Sequence, residues 1–148
     1  MVDLIGDILG MVYTETLREE MGGTYSPDAV ANLNPYDSTW QINWFVVTNE
    51  EVEKAIVDRA NEEFNKLMTQ GTDMKHFAKV REAAIKQYEN SIRDNNYWLN
   101  ALLLNQYGFN DVTGHKEALE SLTLEEFNKF VTSLYDGKNK IELLGIAK

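Results

Sequence analysis

Two consecutive glycines, Gly22 and Gly23, mark the point where the chain changes from a helical pattern to an extended one. Upstream of them, apolar side chains recur from Leu4 to Met21 at the three- and four-residue spacing of one helix face. Glycine readily adopts the left-handed backbone conformation that closes many helices, so the pair is a strong stop signal. The sequence therefore predicts a helix over residues 3–21 that ends in a tight turn and leads into a strand.

Two strands are predicted after the glycines, and together they indicate a β-hairpin. The first covers residues 24–33, where Pro27 cannot donate a ladder hydrogen bond and so favours a sheet edge or a bulge. The second covers residues 39–48, in which apolar and polar side chains alternate. Turn-forming residues occupy positions 34–38 between them. A third strand is predicted near the end of the chain, over residues 141–147.

Helical patterns fill the chain between the hairpin and the last strand. Five helices are predicted there, with capping residues or glycines at most of their ends: Asn49 to Gly71, Asp73 to Asp94, Tyr97 to Tyr107, Thr113 to Ser121, and Thr123 to Tyr135. The order predicts one α+β domain over residues 1–148, with helices packed on one face of a small antiparallel sheet. Because three strands are thin cover for so many helices, we expect further strands of this domain to lie upstream of residue 1.

The charge balance excludes several classes of partner. Acidic side chains outnumber basic ones by 24 to 14, which gives a formal net charge of −10. Nucleic acids and anionic membranes attract clustered lysine and arginine, so neither is an expected partner. No apolar run reaches the roughly 18–20 residues of a membrane-spanning helix, and no signal peptide is visible. The chain has no cysteine, which excludes disulfides and thiolate chemistry and leaves periplasmic and cytoplasmic locations open.

The motifs of metal and nucleophile chemistry are missing from the sequence. The two histidines, His76 and His115, have no second histidine at helical spacing, and neither HxxEH nor HExxH occurs. We therefore expect both to be exposed surface residues and predict no metal ligand in this chain. No serine lies in a Gly-x-Ser-x-Gly turn, which disfavours nucleophilic catalysis.

A cluster of two amides and two aromatic rings occupies residues 95–99 and allows two interpretations. It could line a groove for a peptide. More commonly, asparagine caps a helix while a tryptophan and a leucine, here Trp98 and Leu99, enter the core. We favour the second interpretation.

Arg18 and Tyr25 flank the glycine turn, seven positions apart, and are the candidate site residues. Arginine is a permanent cation with several N–H donors, and the tyrosine hydroxyl donates one more. If both face one cleft, they form a clamp for a carbonyl oxygen. The ordinary alternatives are a cation in the last helical turn for Arg18, and a half-buried strand residue for Tyr25.

The segment Leu17–Ser26, Leu-Arg-Glu-Glu-Met-Gly-Gly-Thr-Tyr-Ser, resembles a signature in the C-terminal half of pitrilysin/insulinase-family zinc metallopeptidases. The similarity continues in the same order through the hairpin, the segment Asn96–Leu99 and the closing segment Ile141–Ile146. It thus covers essentially the whole chain. The decapeptide is its most specific part.

This resemblance implies a zinc endopeptidase built from paired homologous halves. The N-terminal half would carry the zinc and its HxxEH motif, and this chain would belong to the metal-free C-terminal half. Arg18 and Tyr25 would bind the carbonyl of a peptide substrate and stabilise its developing oxyanion. The expected partners are the peptide and the homologous N-terminal half, without which this chain should not hydrolyse peptides.

Two other functions are compatible with the same residues. The chain could be a non-catalytic assembly domain that only packs against a homologous partner half. It could also be an unrelated α+β binding module in which the arginine–tyrosine match is a coincidence. An HxxEH motif in the upstream part of the parent sequence would distinguish the peptidase from both.

Overall fold

The computed structural model describes residues 1–34, 36–108, 114–143 and 145. Within them, six α-helices and a π-helical segment accompany a two-stranded antiparallel sheet, which confirms the predicted α+β class. The elements are α1 (Val2–Tyr13), the π-helical segment (Thr14–Glu20), β1 (Asp28–Leu33), β2 (Trp40–Phe45), α2 (Glu53–Gln70), α3 (Met74–Ser91), α4 (Asn95–Gln106), α5 (His115–Ser121) and α6 (Leu124–Leu134).

The hairpin packs on α1 through small residues. Ala29 pairs with Trp44, and Ala31 pairs with Ile42, so these four side chains share the face of the sheet that α1 covers. Gly6 on α1 lies directly against β1, since a Cβ atom built there would come within 2.4 Å of the Ala31 nitrogen. The missing side chain is what lets the helix approach the strand so closely.

The core lies between α1, β1, α2, α3 and α6. Aromatic contacts join the helices within it, with the Phe64 and Tyr135 rings 5.4 Å apart and the Phe77 and Phe127 rings 5.5 Å apart. The buried apolar residues of these helices include Leu4, Ile5, Ile8, Leu9, Leu17, Ile56, Ala60, Phe64, Leu67, Met68, Phe77 and Val80, whereas Met21, at the end of the predicted apolar stripe of the first helix, is 41% exposed.

Local capping signals place several helix ends correctly. The Asp73 side chain accepts a hydrogen bond from the His76 backbone N–H, and Thr123 forms the predicted capping box with Glu126. Gly71 ends α2 with a positive φ of 79°. Asn49 accepts two backbone N–H groups, but α2 begins only at Glu53, because the intervening residues form a turn.

The prediction of a third strand is wrong for the described part of its range. Residues 141–143 and 145 form no strand, and Leu144, Ile146 and Ala147 lie outside the described residues. The Ile141 and Leu143 side chains are 86% and 91% exposed. A strand needs a neighbouring edge and a buried face, and this stretch has neither, so its β-forming residues do not pair.

The prediction for residues 95–99 also needs correction. Asp94, not an asparagine, caps α4 by accepting the Asn96 backbone N–H at 2.8 Å. Trp98 and Leu99 are exposed instead of entering the core, the latter by 68%. The apolar side chains of α4 point in all directions around the helix, so no single face of it can be buried against the domain. The predicted start of α5 at Thr113 lies outside the described residues.

Candidate functional site

The glycine turn forms as the sequence predicts. The Gly22 N–H donates to the Arg18 carbonyl and the Gly23 N–H donates to the Leu17 carbonyl, both at 3.2 Å. Gly22 has a φ of 63°, in the left-handed region that glycine adopts without strain. The turn reverses the chain immediately after Arg18 and returns it toward the same surface at Tyr25.

The structure brings Arg18 and Tyr25 together. The Arg18 guanidinium carbon lies 5.1 Å from the centre of the Tyr25 ring, within the range of a cation–π contact. Tyr25 is 80% exposed and precedes β1, so the alternative of a half-buried strand residue is wrong. The stacked pair presents guanidinium N–H groups and a phenol O–H on one exposed surface, where both can donate to an oxygen.

The segment that carries Arg18 is π-helical, which the sequence patterns did not predict. Its wider turn is seen in the Met21 N–H, which donates to the carbonyl five residues earlier, on Thr16, at 3.2 Å. The Thr14 and Thr16 hydroxyls donate back to the Gly10 and Val12 carbonyls at 2.9 and 2.8 Å. Such back-bonding threonines disturb the regular helix ladder, so this pair is the sequence signal for the change.

Two threonines hold the chain just before Tyr25. The Thr24 hydroxyl donates to the Val47 carbonyl, and the Thr48 hydroxyl donates to the Gly23 carbonyl, both at 2.7 Å. We call this reciprocal pair of bonds the threonine clamp. It ties the end of the glycine turn to the chain beyond β2, outside the ladder of the hairpin.

The threonine clamp gives a first testable prediction. Thr24→Val keeps the shape of the side chain but leaves the Val47 carbonyl without its donor, so unfolding in urea should show a loss of about 1 kcal/mol. Thr48→Val should show a similar loss of stability. In the double variant the two losses should not add, because both hydrogen bonds hold the same segment. Thr24→Ser keeps the hydroxyl and is the matched control. Equal stability of the Val and Ser variants at position 24 would contradict the clamp.

His76 is not the exposed surface residue that we expected from the sequence. Its side chain is only 13% exposed and lies between two carboxylates, with Nε2 3.0 Å from Glu15 and Nδ1 2.8 Å from Asp73. Lys75 also contacts Glu15 at 3.1 Å. Packing of α3 against α1 creates this cluster from residues 61 positions apart. His115 is exposed as predicted, with its ring 5.1 Å from that of Tyr88.

Hydrogen bonds within this cluster favour the charged carboxylates. The His76 ring, followed by Lys75, lowers the pKa of Glu15. The backbone N–H of His76 is the main cause that lowers the pKa of Asp73. Both shifts extend the pH range in which these carboxylates are charged toward lower pH.

A second charged cluster supports the π-helical segment from α2. Arg59 contacts the buried carboxylate of Glu63 at 2.8 Å and reaches Glu20 at 3.9 Å. The buried Tyr13 hydroxyl donates to the Ala60 carbonyl at 2.9 Å. Burial, together with the nearby charge of Glu63, raises the pKa of Tyr13, so this phenol remains a neutral donor. These contacts join the π-helical segment and the end of α1 to α2.

The surface that carries Arg18 and Tyr25 is open. A cleft of about 670 Å³ lies between β2 and residues 134–141, but neither residue of the pair borders it. Among the described residues, no group of three potential metal ligands is found, and no helix is long and apolar enough to cross a membrane. Arg18 and Tyr25 therefore lie on an open surface and do not line this cleft.

Comparison with known proteins gives one structural match. No protein-family model matches the sequence, and no curated protein matches it. The structure is similar to the crystal structure of the periplasmic protease PqqL from Escherichia coli, with a TM-score of 0.72 and 19% sequence identity. The match covers 87% of this chain and 15% of the PqqL chain. At this identity the similarity shows a shared fold.

Proposed function

We propose that this chain is a metal-free C-terminal domain of a pitrilysin/insulinase-family zinc endopeptidase. In this role Arg18 and Tyr25 bind the carbonyl oxygen of the scissile peptide bond. The observation that carries the proposal is the stacking of these two side chains on an exposed surface, with the Arg18 guanidinium carbon 5.1 Å from the centre of the Tyr25 ring. The signature around them resembles that family, and the fold is shared with a protease.

The chemistry expected of the pair is electrostatic. When a peptide carbonyl is attacked, negative charge develops on its oxygen, and donors already in position stabilise that charge without reorganising. Arg18 supplies a permanent charge, and the Tyr25 hydroxyl supplies a neutral donor. Stacking of the ring on the guanidinium limits the motion of both side chains, and the glycine turn and the threonine clamp fix their backbones.

The zinc of such an enzyme would be held by the homologous N-terminal half. Zinc in peptidases activates a water molecule and polarises the carbonyl. The described residues of this chain include no group of three potential ligands for a metal. In this proposal the chain binds and orients the substrate and closes the site from the opposite side. The open surface around Arg18 and Tyr25 fits that division of labour.

The test compares variants of this chain in the intact peptidase, or in a complex reconstituted with the zinc-bearing half. Arg18→Ala and Tyr25→Phe should each lower kcat/KM for peptide cleavage by about 10²–10³-fold, the usual cost of removing an oxyanion donor. Arg93→Ala and Tyr107→Phe remove similar groups from exposed sites elsewhere on the domain and serve as matched controls.

Unchanged kcat/KM in both site variants would reject the proposal. In that case the second candidate, a non-catalytic assembly domain, would be favoured. A specific observation supports it: α4 carries no charged residue and exposes Trp98, Leu99, Leu102 and Leu103. Such a surface suits packing against a partner half. Absence of an HxxEH motif from the partner half would favour the same role.

A further inference from the structure

A small cavity lies beside the start of α1, where residues of α1, α3, α4 and α5 surround it. Its volume is about 310 Å³, and the buried side chains of Leu4 and Leu119 form part of its lining. We call it the tyrosine cavity, because Tyr88 and Tyr97 also border it. Arg18 does not border it and lies beyond the other end of α1. The tyrosine cavity is therefore separate from the candidate site.

Aromatic rings line one part of the tyrosine cavity. Tyr88 on α3 and Tyr97 on α4 are half-buried, with ring centres 6.0 Å apart and ring planes at 82° to one another. The His115 ring adds a third aromatic group, 5.1 Å from the Tyr88 ring. The face of a tyrosine ring carries partial negative charge and attracts a cation within about 6 Å of its centre. Two rings at nearly a right angle can contact one cation from two sides, so this lining favours a positively charged ligand.

Two carboxylates border the same cavity and have no cationic partner among the described residues. Asp3 and Asp7 lie one turn apart on α1, and both are accessible to solvent. The described lining contains no lysine or arginine, and Lys116 on α5 pairs instead with Glu89 at 2.6 Å. Burial, followed by the charge of Asp3, raises the pKa of Asp7. A cation bound beside both carboxylates relieves this repulsion.

We propose that the tyrosine cavity binds an organic ammonium group, which the aromatic rings contact and the two carboxylates neutralise. Tyr88 and Tyr97 supply the ring faces, and Asp3 and Asp7 supply the negative charge. An ammonium group of this kind is carried by small amines such as choline and by the lysine side chains of other proteins. None of these four residues belongs to the candidate peptidase site, so the inference does not rest on the proposed function.

The lining suits an organic cation better than a metal ion. Calcium takes six to eight oxygen ligands, and magnesium keeps a nearly ideal octahedron of oxygens, often with several waters. Much of the surface here is apolar instead, with buried Leu4 and Leu119 beside the tyrosine rings. An alkylammonium group carries its charge within an apolar shell, so it can contact leucine, tyrosine and carboxylate at once.

The size and the remaining polar groups of the cavity fit a small ligand. Binding sites for small molecules begin at roughly 300 Å³, which is close to the volume found here. Gln87 and Ser91 border the cavity and add neutral hydrogen-bonding groups for a hydroxyl or an N–H of the ligand. The net charge of −10 raises the local concentration of cations around the whole domain.

The first test titrates the unmutated chain with choline and with its uncharged isostere dimethylbutanol, in which a carbon atom replaces the nitrogen. NMR follows the ring resonances of Tyr88, Tyr97 and His115 at constant ionic strength. Choline should shift them saturably and bind at least about tenfold more tightly than the alcohol, because only the cation gains from the rings and the carboxylates. The Tyr25 ring should not respond. Equal affinity for the two compounds would overturn the inference, and this result needs no variant to fold.

A second arm of the titration identifies the source of the ammonium group. N-acetyl-lysine amide presents the primary ammonium of a protein side chain, whereas choline presents a free quaternary amine. Tighter binding of the lysine derivative assigns the cavity to a lysine side chain, and tighter binding of choline assigns it to a small amine. Failure of both compounds to bind would reject the site.

Variants of the lining test the role of each group. Asp3→Asn and Asp7→Asn keep the side-chain shape but remove the charge, so each should weaken binding of the preferred ammonium compound by about threefold or more. Tyr97→Leu should weaken it by about fivefold. Asp58→Asn and Tyr107→Leu alter exposed residues outside the cavity and are the matched controls. Unchanged affinity in all three cavity variants would contradict the proposed binding mode.

Discussion

Replacing Gly6 with alanine is expected to destabilise the domain by at least about 2 kcal/mol. The added Cβ would lie 2.4 Å from the Ala31 nitrogen and 3.0 Å from the Val30 carbonyl carbon. These are backbone atoms of β1, which its ladder with β2 holds in place, so they cannot turn aside as a side chain can. Helix α1 must instead move off the sheet. Thermal unfolding should show a Tm lower by about 4–8 °C.

Gly10 provides the matched control, because it lies on the same helix and faces the same strand. A Cβ at Gly10 would be 3.8 Å from the nearest atom of Ala29, an ordinary contact distance. Alanine is also favoured over glycine inside a helix by roughly 0.5–1 kcal/mol. Gly10→Ala should therefore leave stability unchanged or raise it. Similar losses in the two variants would show that Gly6 does not set the distance between helix and sheet.

Replacing Leu17 with alanine is expected to cost about 2–5 kcal/mol of unfolding free energy. The Leu17 side chain is fully buried in the core, although the residue beside it, Arg18, is exposed. Removing it leaves a cavity under the π-helical segment, which has few other buried anchors. Urea unfolding followed by circular dichroism measures the loss.

Leu99→Ala is the control for this substitution. Leu99 lies on α4, and its side chain is 68% exposed, so its truncation should change stability by no more than about 0.5 kcal/mol. A large loss of unfolding free energy for Leu99→Ala, together with a small loss for Leu17→Ala, would reverse the assignment of core and surface. Because both variants replace leucine with alanine, the difference between their unfolding free energies reports on burial alone.

Several helix ends were predictable because capping signals are local. Asp73 and Thr123 accept backbone N–H groups from residues three positions away, and Gly71 needs only its own backbone freedom to end α2. The stripe of apolar residues on α1 likewise shows in the spacing alone. The third strand failed for the opposite reason, since an alternating or β-forming segment around Ile141 pairs only where a partner edge and a covering layer are present.

The candidate site was predictable only in part. The sequence places Arg18 and Tyr25 on either side of a glycine turn, but it predicts neither their stacking nor the π-helical form of the segment that carries Arg18. The burial of His76 between two carboxylates could not be predicted, because its partner Glu15 is 61 positions away and approaches only through the packing of α3 on α1. Histidine spacing alone indicated an exposed residue.

The sequence by itself determined the order of helices and hairpin, the glycine turn and the two residues that flank it. These features depend on backbone preferences and hydrogen bonds within a few residues. Only the tertiary structure decided that Arg18 stacks on Tyr25, that His76 bridges two elements and that Leu99 stays exposed. Each of these depends on which surfaces meet, and that is set by the packing of the whole core.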